Sequence, residues 1–135
     1  MSDYQVATML IHVRTRFRGF HAWPSAPVEV SFLCLKHRHE FYVDITMPVE
    51  HTDREQEFFL VQQQLDSIIE GLYKKYWDDR IGVYDLGPKS CEMIAVEIGG
   101  KLLDRYTTIS EVTVSVSEDN ENGSILRILK GESST

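Results

Sequence analysis

The stretch His37-Arg38-His39-Glu40-Phe41-Tyr42-Val43-Asp44-Ile45-Thr46-Met47 decides how this chain is read. In an extended strand successive side chains alternate between two faces, so residues two apart point the same way. Here His37, His39, Phe41, Val43, Ile45 and Met47 share one face, while Arg38, Glu40, Tyr42, Asp44 and Thr46 share the other. One face is apolar and the other polar, the pattern of a half-buried antiparallel strand. The apolar face opens on two imidazoles. Buried imidazoles need partners, and two of them side by side form a bidentate grip for a metal ion.

A second alternating run precedes this one. Met9, Ile11, Val13, Thr15 and Phe17 lie on one face, with Leu10, His12, Arg14, Arg16 and Arg18 on the other, and the run leads to His21. A third imidazole from this neighbouring strand completes the three-protein-ligand pattern of catalytic zinc, which leaves a fourth position for water or substrate. Structural zinc sites are closed by four ligands and rich in cysteine, whereas this chain has only Cys34 and Cys91. The expected cofactor is therefore catalytic Zn2+ on His21, His37 and His39, although imidazoles also suit iron or nickel. His12 and His51 stand outside this pattern and are assigned no metal role.

Working outward, Ala22–Lys36 contains Pro24, Ser25 and Pro27 and reads as a connection, with a short extended piece over Val28–Leu33. Beyond the polar turn Glu50–Arg54 the apolar spacing changes to three and four. Phe58, Leu65, Ile68, Leu72, Tyr73 and Tyr76 then define one face of an amphipathic helix. A break over Gly82–Pro88 follows. Ser90 is placed to cap a second helix, with Glu92 in its first turn and Met93, Ile94, Ile98, Leu102 and Tyr106 on its apolar face. Alternation returns at Val112, Val114, Val116 and Glu118. Asn122-Gly123 signals a turn, and Ser124–Leu129 reads as the returning strand of a hairpin. The order strand, strand, helix, helix, strand, strand predicts an α+β layer: a four-stranded antiparallel sheet with two helices on one face. Residues 1–130 form a single domain in this reading, and 131–135 a frayed tail.

Composition narrows the function classes. A chain of 135 residues, 42% hydrophobic and 26% charged, has room for one core and the balance of a globular protein rather than a disordered one. A net charge of −7 argues against a nucleic-acid phosphate backbone as partner. The stripe Arg14, Arg16, Arg18 is either a solvated strand face or a site for an anionic ligand. No apolar run approaches bilayer length, and MSDYQVATML lacks a basic-then-apolar leader, so the expected location is cytoplasmic with no membrane partner. The two cysteines lie in dissimilar contexts and read as free thiols.

The residues quoted resemble the family of 6-pyruvoyl tetrahydropterin synthase and 6-carboxytetrahydropterin synthase over roughly Met9–Leu129. The resemblance implies the T-fold, in the same ββααββ order. A histidine after the first strand (His21 in FRGFHAW) and a His-x-His opening the second (His37 and His39 in CLKHRHEF) match the family's zinc ligands. Arg38 stands where the family usually has glycine. Glu118 in VSVSEDNENGS matches the glutamate that holds the pterin ring. An ionised carboxylate can accept two adjacent N–H donors of such a ring in a bidentate pair; the plainer reading is an exposed glutamate at a strand end.

Cys34 lies near the place of the family's catalytic cysteine, and Lys36, Arg38 or a metal beside it would favour its thiolate. A small buried apolar cysteine is the alternative. The family's Asp-His pair has no counterpart. At its place stands YKKYWDDRIGVYDLG, where Asp78 is the nearest candidate for part of that role. The Pro-Thr-x-Glu stretch is replaced by Pro88-Lys89-Ser90-Cys91-Glu92, with Glu92 in the equivalent position as a substrate-binding candidate. The resemblance thus implies a divergent zinc-dependent lyase acting on 7,8-dihydroneopterin triphosphate or a related pterin, assembled as a homo-oligomer, commonly a hexamer. The other reading is a non-catalytic or re-purposed pterin- or purine-binding protein that keeps zinc.

Overall fold

In the computed structural model, which describes residues 3–131, the two alternating runs pair as one long antiparallel hairpin. Strand β1 spans Leu10–His21 and β2 spans His37–Pro48, in a register that runs from Leu10 opposite Pro48 to His21 opposite His37. On β2 the burial alternates without a break from Phe41 to Met47, as the apolar spacing requires. Strand β5, Glu111–Glu118, pairs antiparallel with the other edge of β2, placing Glu118 opposite Phe41. Strand β6, Asn122–Leu129, then pairs with β5.

Helix α1, Phe58–Leu72, packs on β1, and helix α2, Cys91–Arg105, packs on β5 and β6. The Glu57 carboxylate caps α1 by accepting the Leu60 N–H at 2.9 Å. The Ser90 hydroxyl caps α2, accepting from Met93 N–H at 3.2 Å. Both satisfy donors that a helix start leaves without partners. The apolar faces of helices and sheet meet in one core that includes Phe41, Val43, Ile45, Leu65, Ile94, Ile98, Leu102 and Val114. Each such side chain contributes about 1.5–3 kcal/mol relative to exposure. No helix among the described residues is long and apolar enough to cross a membrane.

Among the described residues the sheet has six strands where four are expected from the sequence, the added hairpin being β3, Lys74–Asp78, with β4, Ile81–Asp85. The order across the sheet is β3-β4-β1-β2-β5-β6. Tyr73 leaves helical geometry at φ −125°, ψ 144°, and Lys74-Lys75-Tyr76-Trp77-Asp78 then runs extended. Its aromatic residues suit a strand, and Asp79, at φ 59°, turns the chain back. Tyr76 keeps a helical spacing from Leu72 only by coincidence. Strand β4 joins β1 in parallel through Gly19 opposite Tyr84 and Phe20 opposite Asp85.

Two smaller expectations also change. Val28–Cys34 forms a 3₁₀ segment rather than an extended piece; it follows Pro27 at φ −66°, and none of its residues is buried. The β5–β6 turn is centred on Asp119 and Asn120, at φ 55° and 57°, and not on Asn122-Gly123. Two successive residues at positive φ make the tight turn that suits hairpin twist, and Asp and Asn tolerate that region best after glycine. Gly123 sits in β6, where a Cβ would run into the Val116 carbonyl and Ser117. The expected frayed tail lies, from residue 132 onward, outside the described residues.

Candidate metal centre

His21 ends β1, His37 begins β2, and the antiparallel register sets them opposite each other. His39 lies two residues further along β2, on the same face. Their ring centroids are 4.5 Å (His21–His37), 5.1 Å (His37–His39) and 5.5 Å (His21–His39) apart. One ligand nitrogen from each falls within 4.8 Å of the others. The edge of Phe41 packs beneath His21 and His39, with centroids at 5.3 and 5.8 Å.

The partners of the rings fix which nitrogen donates. His21 Nδ1 lies 2.9 Å from the Lys89 carbonyl and His37 Nδ1 lies 2.9 Å from the Leu35 carbonyl. His39 Nδ1 lies 2.7 Å from Asp119 Oδ2. Carbonyl and carboxylate oxygens only accept, so each Nδ1–H donates, which leaves Nε2 as the nitrogen able to offer a lone pair to a cation. This is the orientation in which outer oxygens hold metal-binding histidines. His21 Nε2 and His39 Nε2 are buried and find no hydrogen-bond partner among the described residues. They face Glu118 instead, at 3.2 Å to Oε1 and 3.3 Å to Oε2. Lone pairs and carboxylate oxygens converging on buried space require a cation or a proton among them. Burial is the main reason the His21 pKa is lowered, which disfavours the proton there; the Lys89 carbonyl and Glu118 oppose it. The donor set thus fits a divalent metal bound by imidazoles.

Beside the histidines opens a cavity of about 570 Å³. His21 and His37 line one side. The start of α2 contributes Ser90, Cys91 and Glu92, and the β5–β6 hairpin contributes Glu118 and Ser124. Loop bonds hold this wall: Leu86 N–H donates to the Phe20 carbonyl at 3.0 Å, and Ala22 N–H to the Gly87 carbonyl at 3.0 Å. The Lys89 ammonium bonds Glu97 Oε2 at 3.0 Å, and the Tyr73 hydroxyl donates to Glu97 Oε1 at 3.3 Å. The Ser124 hydroxyl donates to Glu92, and this bond is the main cause that lowers the Glu92 pKa. The buried Cys91 thiol points its sulfur at Glu118 Oε1, 3.9 Å away. Burial, with Glu118 and Glu92 nearby, pushes its pKa up to about 12.

Among the residues picked out from the sequence, His21, His37, Glu118 and Glu92 line this cavity, and His39 stands beside it against His37 and Glu118. Two do not. Cys34 is exposed at the end of the 3₁₀ segment, although its neighbour Leu33 lines the cavity. Asp78 is exposed on β3 and paired with Arg38 at 2.8 Å. The sequence reading passed over Cys91, Asp119 and the Lys89 carbonyl. Asp119 lay next to Glu118, but its role depends on a turn placed three residues later in that reading.

These features define a T-fold with a three-histidine group at one end of its sheet. No protein-family model matches the chain, and no curated protein does. Solved structures do match. One is Plasmodium vivax 6-pyruvoyltetrahydropterin synthase carrying a glutamate-to-cysteine change at a catalytic residue, with TM-score 0.59 and 11% identity over 90% of this chain and 99% of that one. Plasmodium falciparum 6-pyruvoyl tetrahydropterin synthase matches with TM-score 0.54 and 15% identity over 90% of this chain and 98% of that one. The chain has the fold of 6-pyruvoyltetrahydropterin synthase at low sequence identity.

Proposed function

We propose that this protein is a zinc-dependent pterin enzyme, a lyase acting on 7,8-dihydroneopterin triphosphate or a related pterin. The observation that carries this reading is the convergence of three oriented imidazoles and Glu118 beside one cavity in the fold of 6-pyruvoyltetrahydropterin synthase. His21, His37 and His39 would hold zinc, which supplies Lewis-acid polarisation of substrate oxygens and acidifies neighbouring protons. The Glu118 carboxylate, whose two oxygens both face inward, is suited to accept the paired N–H donors of a pterin ring. Glu92 and the capped start of α2 form the opposite wall and bind polar groups of the substrate.

Cys34 is the proton-transfer candidate in this reading, and it reaches the site in an assembly. The supports are its place beside Leu33 and the unburied 3₁₀ segment that carries it, where Val28 and Phe32 stand exposed, as does Leu35 just beyond its end. Open strand edges at β3 and β6 also favour a homo-oligomer, for which a hexamer is our proposal, working in the cytoplasm. A second reading, a pterin- or purine-binding protein without turnover, draws on a specific observation. Neither Cys34 nor Asp78 reaches the cavity within one subunit, and the thiol that does, Cys91, is held protonated.

The test is incubation of zinc-loaded protein with 7,8-dihydroneopterin triphosphate, following products by mass spectrometry beside Cys34→Ala and Glu118→Ala variants. Conversion lost in Cys34→Ala supports the lyase, and the product mass identifies the reaction. Tight pterin binding that Glu118→Ala abolishes, without conversion, selects the second reading.

A further inference from the structure

The ligand imidazoles are not held alike. His21 and His37 each lean on a main-chain carbonyl, which no side-chain substitution removes. His39 alone leans on a side chain, the Asp119 carboxylate. That carboxylate is a two-point clamp. Oδ2 accepts from His39 Nδ1 at 2.7 Å while Oδ1 accepts the Glu40 N–H at 2.9 Å, one residue further along β2. The Asp119 N–H returns a third bond to the Glu40 carbonyl at 2.7 Å. Asp119 occupies a left-handed conformation at φ 55°, so the turn itself aims the carboxylate back across β5 at β2. The same turn carries Glu118, whose Oε2 faces the other nitrogen of the His39 ring.

We propose that Asp119 is a positioning residue for the metal centre: by holding His39 Nδ1–H it keeps the Nε2 lone pair directed at the ion and sets the ring in line with His21 and His37. The proposal rests on the reading of the three histidines as metal ligands. Two consequences follow from the chemistry of the pair. A negative acceptor on Nδ1–H raises the basicity of the opposite nitrogen, so the ligand binds more strongly than a histidine leaning on a carbonyl. The clamp also couples the β5–β6 turn to the metal, since one side chain spans both.

Substitution can separate this role from a purely structural one. Asp119→Gly keeps the left-handed backbone without strain and keeps the main-chain bond to Glu40, but deletes the carboxylate. Asp119→Asn keeps an acceptor for the Glu40 N–H. Its amide N–H2 then faces Nδ1, which draws the histidine proton to Nε2 and removes the lone pair the metal needs. Zinc affinity would be measured by competition with a chromophoric chelator, the cobalt(II) visible spectrum would report the donor set, and urea unfolding of metal-free protein would report the fold. The expected result is wild-type zinc binding weakened roughly 10- to 100-fold in both variants, the range typical for loss of an outer carboxylate. With it, the cobalt spectrum changes and the metal-free urea midpoint of Asp119→Asn stays at the wild-type value. Affinity in both variants within twofold of wild type overturns the proposal and leaves the metal reading standing. Full rescue of affinity by Asp119→Asn also overturns it, because a turn-closing role is then sufficient. Wild-type protein that takes up neither ion overturns the metal reading, and this inference with it.

Discussion

Replacing His37 with alanine separates the proposed metal function from the fold more cleanly than any other single change at this centre. His21 is 7% exposed and wedged against Phe41, so its truncation would open a buried void. His37 is half-buried at the start of β2, and its ring hydrogen-bonds the Leu35 carbonyl. Losing such a bond at a part-exposed position costs about 0.5–1.5 kcal/mol. The consequence for metal linkage is larger. At free zinc 100 times the dissociation constant, binding to the folded state alone stabilises by about 2.7 kcal/mol. A chain of 135 residues lies between the size classes for which Tm has been scaled; at roughly 4 °C per kcal/mol, zinc should raise Tm by about 10 °C. Thermal scans with zinc and with chelator would then show that rise in the wild type. In His37→Ala the chelated Tm should fall by only a few degrees and the zinc increment should collapse. An undiminished zinc increment in the variant would refute the assignment of His37 as a ligand.

Other consequences are measurable on the same protein. Phe41 is fully buried and stacked on Phe17 with centroids 5.5 Å apart, so Phe41→Ala should cost about 3–5 kcal/mol in urea unfolding. A Cβ at Gly19 would sit 2.8 Å from Leu86 Cδ1 and 3.1 Å from the Phe41 ring, so Gly19→Ala should destabilise by about 1–3 kcal/mol, read from the same midpoint. Of the two free thiols, only exposed Cys34 should react with a chromogenic disulfide in native protein at neutral pH, and buried Cys91 should join it after denaturation. Glu92 has its folded pKa lowered by the Ser124 hydroxyl, so its contribution is present above the unfolded carboxylate pKa and is lost as pH falls through the folded one. Urea midpoints of wild type and Ser124→Ala should therefore differ at neutral pH and converge in acid.

How far the sequence could be read depended on what each element uses for its stability. The β2 alternation and the capped start of α2 are local, periodic signals, and both translate directly into burial and bonding in the structure. The β3–β4 hairpin was hidden because Lys74–Asp78 follows α1 with one residue between, and Tyr76 extends the helical spacing by chance. The Asp119-Asn120 turn was hidden because Asn-Gly is the stronger turn signal, and the reason for Gly123 is a close strand approach that only the fold reveals. At the site, residue type announced the histidines. Nothing local could show that Cys34 faces solvent and Cys91 the cavity, since each is a cysteine within reach of a charged residue in the sequence. Which one is buried is decided by the packing of α2 on β5.

The placement of the centre follows from register. Because β1 and β2 are antiparallel, the last residue of one meets the first of the other, so His21 and His37 are neighbours although the chain makes a long excursion between them. Because β5 runs antiparallel to β2, its last residue, Glu118, arrives at the same end of the sheet. All four side chains share the helix-covered face because each keeps the period of two with the apolar core: His21 with Phe17 and Val13, His37 and His39 with Phe41 and Val43, Glu118 with Val116 and Val114. The face that folds the protein is thus the face that gathers the candidate ligands, and a slip of one residue would carry those of the slipped strand to the outer side. A one-residue insertion between Phe17 and His21 is the direct test. It preserves every candidate ligand, yet reverses the side of β1 on which His21 stands. The folded insertion variant should lose the zinc-dependent rise in Tm as completely as His37→Ala, and retention of that rise would show that the imidazoles find the metal without this register.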